Sequence, residues 1–234
     1  MFEFQGLHDP WFLTLYCVAG CLAMGAALWL LLRRRNLLAP GVTPPVGLRR
    51  WAAAFLGAAA LSHVWWFACG QWWLTDDRLV RNIVAILLDN ATLVPLVMAV
   101  LLAMLQDRRR PLWLWWLVQV PVVVVFGVMG ITRRDGFYGY TLTYYWQLAA
   151  ALCFVVYYAF QLRQYGRWLR HNYADLEHKE VWQSLAFALA LFVVYELYTS
   201  NMGQLPREYL SQVLTLVIVA FLVWRVETLQ ELEE

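Results

Sequence analysis

The chain contains seven apolar runs separated by short polar connectors. Crossing the hydrocarbon core takes roughly 20 apolar residues as a helix, and lipid offers no partner for an unpaired backbone group. The runs are Trp11–Leu32, Trp51–Cys69, Ile83–Leu105, Leu112–Ile131, Tyr144–Leu162, Val181–Ser200 and Tyr209–Trp224. Because 62% of the residues are hydrophobic and only 15% are charged, the composition excludes a soluble domain. We predict an all-α polytopic membrane protein in which residues 1–225 form seven transmembrane helices.

The basic residues are sorted between alternate connectors. Thirteen of the 18 lysines and arginines follow the first, third, fifth and seventh runs, in clusters such as Arg33–Arg35 and Arg108–Arg110. Cytoplasmic loops carry an excess of lysine and arginine. The sequence therefore predicts that the N-terminus lies outside and the C-terminus in the cytoplasm.

Polar residues recur at one depth in several runs. An ionisable group within hydrocarbon is costly and is expected to face protein or water. With the helical rise of about 1.5 Å per residue, polar groups of four runs fall in the outer third of the membrane. We predict that they line an outward-facing cavity for a small polar ligand. The candidate ligand-binding residues are His63, Asp89, Asn90, Tyr145, Gln147, Tyr195 and Glu196.

Two other interpretations of these residues stay open. They could hydrogen-bond one another and only hold the bundle together. Alternatively, the protein could be a small secondary transporter or proton-coupled permease in which His63, Asp89 and Glu196 relay protons.

Enzyme, cofactor and metal chemistry have little support in the sequence. No hydrolase motif is present, and the one lysine, Lys179, lies in a connector and not in a run, where a retinal Schiff base would need it. We predict no enzymatic activity and no cofactor. A helix capped by Asn172 would place His171, Asp175 and His178 on one face, but three such ligands without a fourth do not make a typical metal site. We therefore predict no bound metal.

The apolar pattern of the last run continues past its end. Val219, Leu222, Val226 and Leu229 repeat at spacings of three and four residues, as in a coiled-coil seam. The pattern predicts that residues 226–234 begin a cytoplasmic signalling helix. In the full-length protein this helix would pair with a second copy as a homodimer.

Two segments resemble a known group of proteins. HNYADLEHKEVWQS and EYLSQVLTLVIVAFLVWRVETLQELEE are similar to the membrane-embedded N-terminal region of bacterial signalling regulators. In that group a seven-helix sensor precedes an AraC-type helix-turn-helix or histidine-kinase output domain. The resemblance implies an input domain in the bacterial inner membrane, without an output domain or nucleic-acid contact of its own before Glu234. It implies signalling roles for Tyr173, Asp175, Glu177, Lys179, Glu180, Val226 and Leu229.

Overall fold

The computed structural model describes residues 9–33, 35–71, 78–108, 110–132, 136–199 and 204–232. Over these residues the chain forms helices joined by turns, without a strand. The helices are α1 (Pro10–Leu32), α2 (Val46–Gln71), α3 (Arg78–Ala103), α4 (Trp113–Leu117), α5 (Val120–Thr132), α6 (Gly136–Asn172), α7 (Gln183–Thr199) and α8 (Gln204–Thr228). The predicted all-α fold is confirmed.

The fourth apolar run is broken into α4 and α5. Pro121 causes the break, because it has no N–H to donate to the carbonyl of Leu117, four residues earlier, where α4 ends. At the break, the main-chain oxygen of Val118 accepts a hydrogen bond from Nε1 of Trp146 at 2.9 Å.

Unlike Pro121, Pro95 lies inside a helix, α3, without ending it. Neighbouring helices often re-satisfy the backbone at such sites in membranes.

Among the described residues, five helices are long and apolar enough to cross a membrane. Their spans are Pro10–Leu32, Val46–Ala68, Val84–Ala103, Leu142–Asn172 and Pro206–Thr228. Two shorter apolar helices cover Trp113–Val125 and Gln183–Val193. Large apolar side chains such as Val156 and Phe160 are exposed on the outside of the bundle, where lipid and not water is the favourable surrounding. The chain is therefore a helical membrane protein.

The helices are arranged in a closed ring that follows the chain. Helix α2 packs between α1 and α3, α5 connects α3 to α6, and α7 contacts α6 and α8. Helix α8 completes the ring by packing against α1 and also touches α2. Sequential neighbours in the chain are thus neighbours in the bundle, as expected from short connections.

Small side chains bring α1 and α2 close together. Ala19, Ala23 and Ala27 recur every four residues along α1 and are all buried. A Cβ built on Gly20 would lie 3.3 Å from Cγ of His63 on α2. Small residues at helix interfaces are typical of membrane bundles, where van der Waals packing replaces the hydrophobic effect.

The connectors after α1, α3 and α6 meet at one end of the bundle, which we call the tail end. Residues 229–232, the tail, lie against all three. The amide of Gln230 donates to the carbonyl of His178 at 2.9 Å, and that of Glu231 to the carbonyl of Thr43 at 2.8 Å. The amide of Leu232 donates to Oε1 of Gln106 at 3.0 Å. Three hydrogen bonds, one to each connector, therefore hold the tail in place.

The predicted helix over residues 226–234 does not continue through the described tail, whereas its signalling role stays a prediction. Helix α8 ends at Thr228. Val226 and Leu229 are fully buried within this chain, so the spacing that resembled a coiled-coil seam instead reflects packing in the bundle core. Residues 233 and 234 lie outside the described residues. The homodimer stays a prediction, although Val226 and Leu229, two of its four seam positions, are buried within this chain.

The connector after α6 also differs from its prediction. Asn172 is the last residue of α6, and its Nδ2 donates to the carbonyl of Trp168 at 2.8 Å. It therefore does not begin a new helix. Residues 173–182 form turns, and His178 has a positive φ of 62°, so His171, Asp175 and His178 do not share a helical face.

Glu227 is the central buried charge at the tail end. Its side chain accepts hydrogen bonds from Nη2 of Arg49 at 3.2 Å, from Nε1 of Trp29 at 3.4 Å and from the amide of Leu37. Only 1% of the Glu227 side chain is exposed, and 8% of that of Arg49. The ion pair thus ties the last turn of α8 to α2 and to the connector after α1.

Replacing Glu227 with glutamine is expected to lower the free energy of unfolding by about 3–5 kcal/mol, because Arg49 would be left as an unpaired buried charge. Thermal unfolding followed by circular dichroism measures the effect. Glu231→Gln, at an exposed position of the tail, removes the same charge and serves as the control with little expected change. Equal stability of Glu227→Gln and the control would contradict the assignment.

Candidate functional site

Asp89 of α3 is held by three hydrogen bonds from α2. Its Oδ1 accepts from Oγ of Ser62 at 2.6 Å and from Nε1 of Trp65 at 3.0 Å. Its Oδ2 accepts from Nε1 of Trp66 at 2.7 Å. All three donors are neutral, and Asp89 is only partly buried. A carboxylate has about four lone-pair positions, so acceptor capacity remains for a ligand.

His63 lies between these donors in the sequence but makes other contacts. Its Nδ1 is 2.8 Å from the main-chain oxygen of Ala59, and its Nε2 is 2.9 Å from Oε1 of Gln212 on α8. Nε2 of Gln212 in turn donates to Oγ of Ser211 at 2.9 Å. The ring thus connects α2 to α8.

Helix α1 closes the other side of the histidine. The hydroxyl of Tyr16 donates to the main-chain oxygen of His63 at 2.5 Å, and the two rings are 4.8 Å apart. Together, Tyr16, Gly20, His63, Asp89 and Gln212 with their partners form a polar cluster contributed by α1, α2, α3 and α8. We call this the Asp89 cluster.

Asn90 belongs to a second polar cluster, with Gln119 and Gln147. Nε2 of Gln147 donates to Oδ1 of Asn90 at 2.5 Å and to Oε1 of Gln119 at 2.6 Å. Gln119 lies at the break between α4 and α5, and Gln147 lies on α6. Nε2 of Gln119 and Oγ1 of Thr143 are buried without a hydrogen-bond partner among the described residues. The polar groups predicted at one depth therefore separate to two sides of α3.

Of the remaining predicted ligand-binding residues, Tyr145 is described and shows no contact with either cluster. Tyr145 is 61% exposed and its ring is 5.3 Å from that of Tyr144. Tyr195 and Glu196 lie on α7, but their side chains are outside the described residues. Whether Glu196 faces Asp89 thus remains a prediction.

The residues with an implied signalling role surround the connector after α6. Oδ1 of Asp175 accepts from the amide of Glu177 at 2.9 Å, and Oδ2 is 3.9 Å from Nζ of Lys179. Lys179 also lies over the ring of Tyr173, 5.6 Å from its centroid. Nη2 of Arg225 on α8 donates to the main-chain oxygen of Glu180. The connector is therefore bound to α8 as well as to the tail.

Several residues of the site escaped the sequence analysis. Ser62, Trp65 and Trp66 lie within the second run beside His63, and tryptophans near run ends are usually interfacial anchors. Gln212 is a polar residue within the last run, and Gln119 stands two residues before Pro121. A search for every polar residue and proline inside the runs would have found Gln212 and Gln119, but not their partners.

Comparison with protein-family models gave no match, and neither curated proteins nor solved structures gave one. The resemblance to bacterial sensor domains therefore rests on the sequence segments alone. In the described part of the chain, no group of three or more histidine, cysteine, aspartate or glutamate side chains is placed to hold a metal ion.

Trp66→Phe should lower the free energy of unfolding by about 1–3 kcal/mol, because Asp89 loses one of its donors inside the bundle. Thermal unfolding in detergent measures the change. Trp113→Phe removes an indole N–H from a side chain that is 62% exposed and is the matched control. Equal loss of stability in both variants would show that the hydrogen bond from Trp66 to Asp89 contributes no more to stability than the N–H of an exposed tryptophan.

Asp9 connects the start of α1 to α8. The Tyr209 hydroxyl donates to its Oδ2 at 2.7 Å, and the Trp11 amide donates to Oδ1 at 3.0 Å. The hydrogen bond from Tyr209 is the main cause that holds the pKa of Asp9 below its ordinary value. A lowered folded-state pKa stabilises the fold above the unfolded pKa, and the contribution disappears as the pH falls through the folded value.

We therefore expect the stability difference between wild type and Asp9→Asn to be constant above about pH 4, the unfolded range for aspartate, and to shrink at lower pH. Melting temperatures measured from about pH 3, roughly one unit below that value, up to about pH 7, roughly three units above it, test this. A difference that grew on acidification would contradict the assignment.

Proposed function

We propose that this protein is the input domain of a bacterial signalling regulator, a seven-helix sensor of the inner membrane with the tail end in the cytoplasm. The seven apolar runs support the number of spans. The concentration of arginine at the tail end, in the connectors after α1 and α3 and near the end of α6, supports the orientation.

The observation that carries the proposal is the position of α8. Gln212 bonds to His63 in the Asp89 cluster, whereas Glu227 bonds to Arg49 at the tail end. These two residues are 15 positions apart in one helix, a distance of about 22 Å at the helical rise. A shift of α8 at the first site would reach the tail directly.

A small polar ligand would act through the Asp89 cluster. Asp89 is only partly buried and its carboxylate keeps acceptor capacity, so a ligand donor can compete with Ser62, Trp65 or Trp66. Such competition changes how α2 packs on α3 and, through His63, on α8. A ligand shifts a conformational equilibrium only by its difference in affinity for the two states. Direct contact with residues on two helices can provide that difference.

The test is a reporter fused after Glu234, whose output depends on the tail. Asp89→Asn keeps an acceptor for Ser62 and Trp65 but turns an amide N–H toward Trp66, another donor. We expect altered reporter output with most of the folded protein retained in the membrane. Thr92→Val is the control, because its hydroxyl bonds only to Leu88 of its own helix among the described residues. Loss of stability with unchanged output would instead indicate a purely structural aspartate.

A second candidate, a proton-coupled permease, is favoured by one observation. Transporters often use discontinuous helices near a polar site, and Gln119, beside the break at Pro121, is buried with an Nε2 that has no hydrogen-bond partner among the described residues. Purified protein in liposomes containing a pH-sensitive dye separates the candidates. The permease requires proton flux that Asp89→Asn abolishes, and the sensor requires none.

A further inference from the structure

A cleft of about 310 Å³ opens at the tail end between the connector after α6 and the last turns of α8. It is separate from the Asp89 cluster. Its polar and aromatic lining consists of Glu177, His178, Glu180, Gln183, Trp224 and Arg225. Binding pockets for small ligands begin at about 300 Å³, so the cleft is suited to a compact polar molecule or head group.

The deepest charge in this cleft is a cation without an acidic partner. Arg225 is only 4% exposed. Its Nη2 donates to the main-chain oxygen of Glu180, and its guanidinium carbon is 5.8 Å from the centre of the Trp224 ring. No carboxylate of a described residue pairs with it, and its Nε has no hydrogen-bond partner among those residues. A buried charge with neutral partners alone is poorly compensated, which favours an anion.

The rest of the cleft offers the opposite chemistry. Oε1 of Gln183 is buried and has no donor among the described residues. The side chains of Glu177 and Glu180 are exposed at the cleft's rim, and Glu177 lies 3.8 Å from Nε2 of His178. Carboxylate and amide oxygens favour a group that donates several hydrogen bonds, such as an ammonium.

We propose that the cleft binds a zwitterion in which an acidic group and a primary ammonium are joined by a short link. The acidic group pairs with Arg225, and the ammonium donates to Gln183 and to the glutamates. The chemistry fits the phosphoethanolamine head group of a membrane lipid and also a free zwitterion of similar size. Trp224 is 41% exposed beside the cleft, and tryptophan favours the depth of lipid head groups.

The position of the cleft gives such binding a consequence. His178 lines the cleft and its carbonyl holds the amide of Gln230 in the tail. Thr228, the last residue of α8, also lines the cleft. An occupant would therefore brace the connector against α8 at the point where the tail begins. The site does not depend on the proposed sensor function.

Binding is tested with purified, delipidated protein in detergent, using native mass spectrometry and thermal unfolding. The lipid probes are phosphatidylethanolamine, phosphatidylglycerol, which lacks an ammonium, and phosphatidylcholine, whose ammonium has no N–H. O-phosphoethanolamine is the soluble probe. We expect phosphatidylethanolamine to be retained more strongly than both other lipids. Competition by O-phosphoethanolamine would support a soluble source of the zwitterion, whereas its failure to compete would support the lipid.

Variants connect the preference to the cleft. The double variant Glu177→Gln with Glu180→Gln alters exposed side chains, so it should fold. The ratio of phosphatidylethanolamine to phosphatidylcholine retained should fall by about threefold, the size of effect expected from weak exposed ion pairs. Arg225→Lys should weaken retention of all three lipids. Glu231→Gln, in the tail and outside the cleft lining, is the control.

Equal retention of the three lipids together with no effect of O-phosphoethanolamine would overturn the proposal. So would a preference that survives in the glutamine double variant. Neither measurement uses signalling, so these outcomes leave the proposed function unaffected.

Discussion

The packing of the bundle at the end opposite the tail depends on the carboxyl group of Asp89. A polar group within an apolar bundle has to be satisfied by protein or trapped water, and here three neutral donors from α2 satisfy it. This fixes the level at which α2 packs on α3. The histidine between these donors is then directed toward α1 and α8, so that one polar cluster joins four helices.

At the tail end the same constraint is met by charge pairing and main-chain hydrogen bonds. Glu227 pairs with Arg49, and the tail amides bond to three connectors. Helix α8 takes part in both arrangements. A structure that is tightly paired at both ends and apolar in between transmits displacement as a rigid element. This is the physical basis on which a sensor function is proposed.

The sequence was sufficient to predict the apolar helices and the need of Asp89 for polar partners inside the bundle, because both follow from the cost of polar groups in lipid. The partners of Asp89 were not predictable, since they depend on how α2 is rotated against α3. Depth alone suggested that Asp89 and Asn90 share a site, but neighbouring residues of a helix point about 100° apart, given 3.6 residues per turn. The seam at Val226 and Leu229 was misassigned because core packing and coiled-coil pairing use the same spacing.

The central claim, that α8 connects the Asp89 cluster to the tail, can be measured by hydrogen exchange of the tail amides. Gln212→Leu removes the bond to His63 without touching the tail, and Thr215→Val on the same helix is the control, because its hydroxyl bonds to Ser211 within α8. The account predicts faster exchange at Gln230, Glu231 and Leu232 in Gln212→Leu than in wild type or the control. Unchanged exchange in a folded Gln212→Leu protein would contradict it.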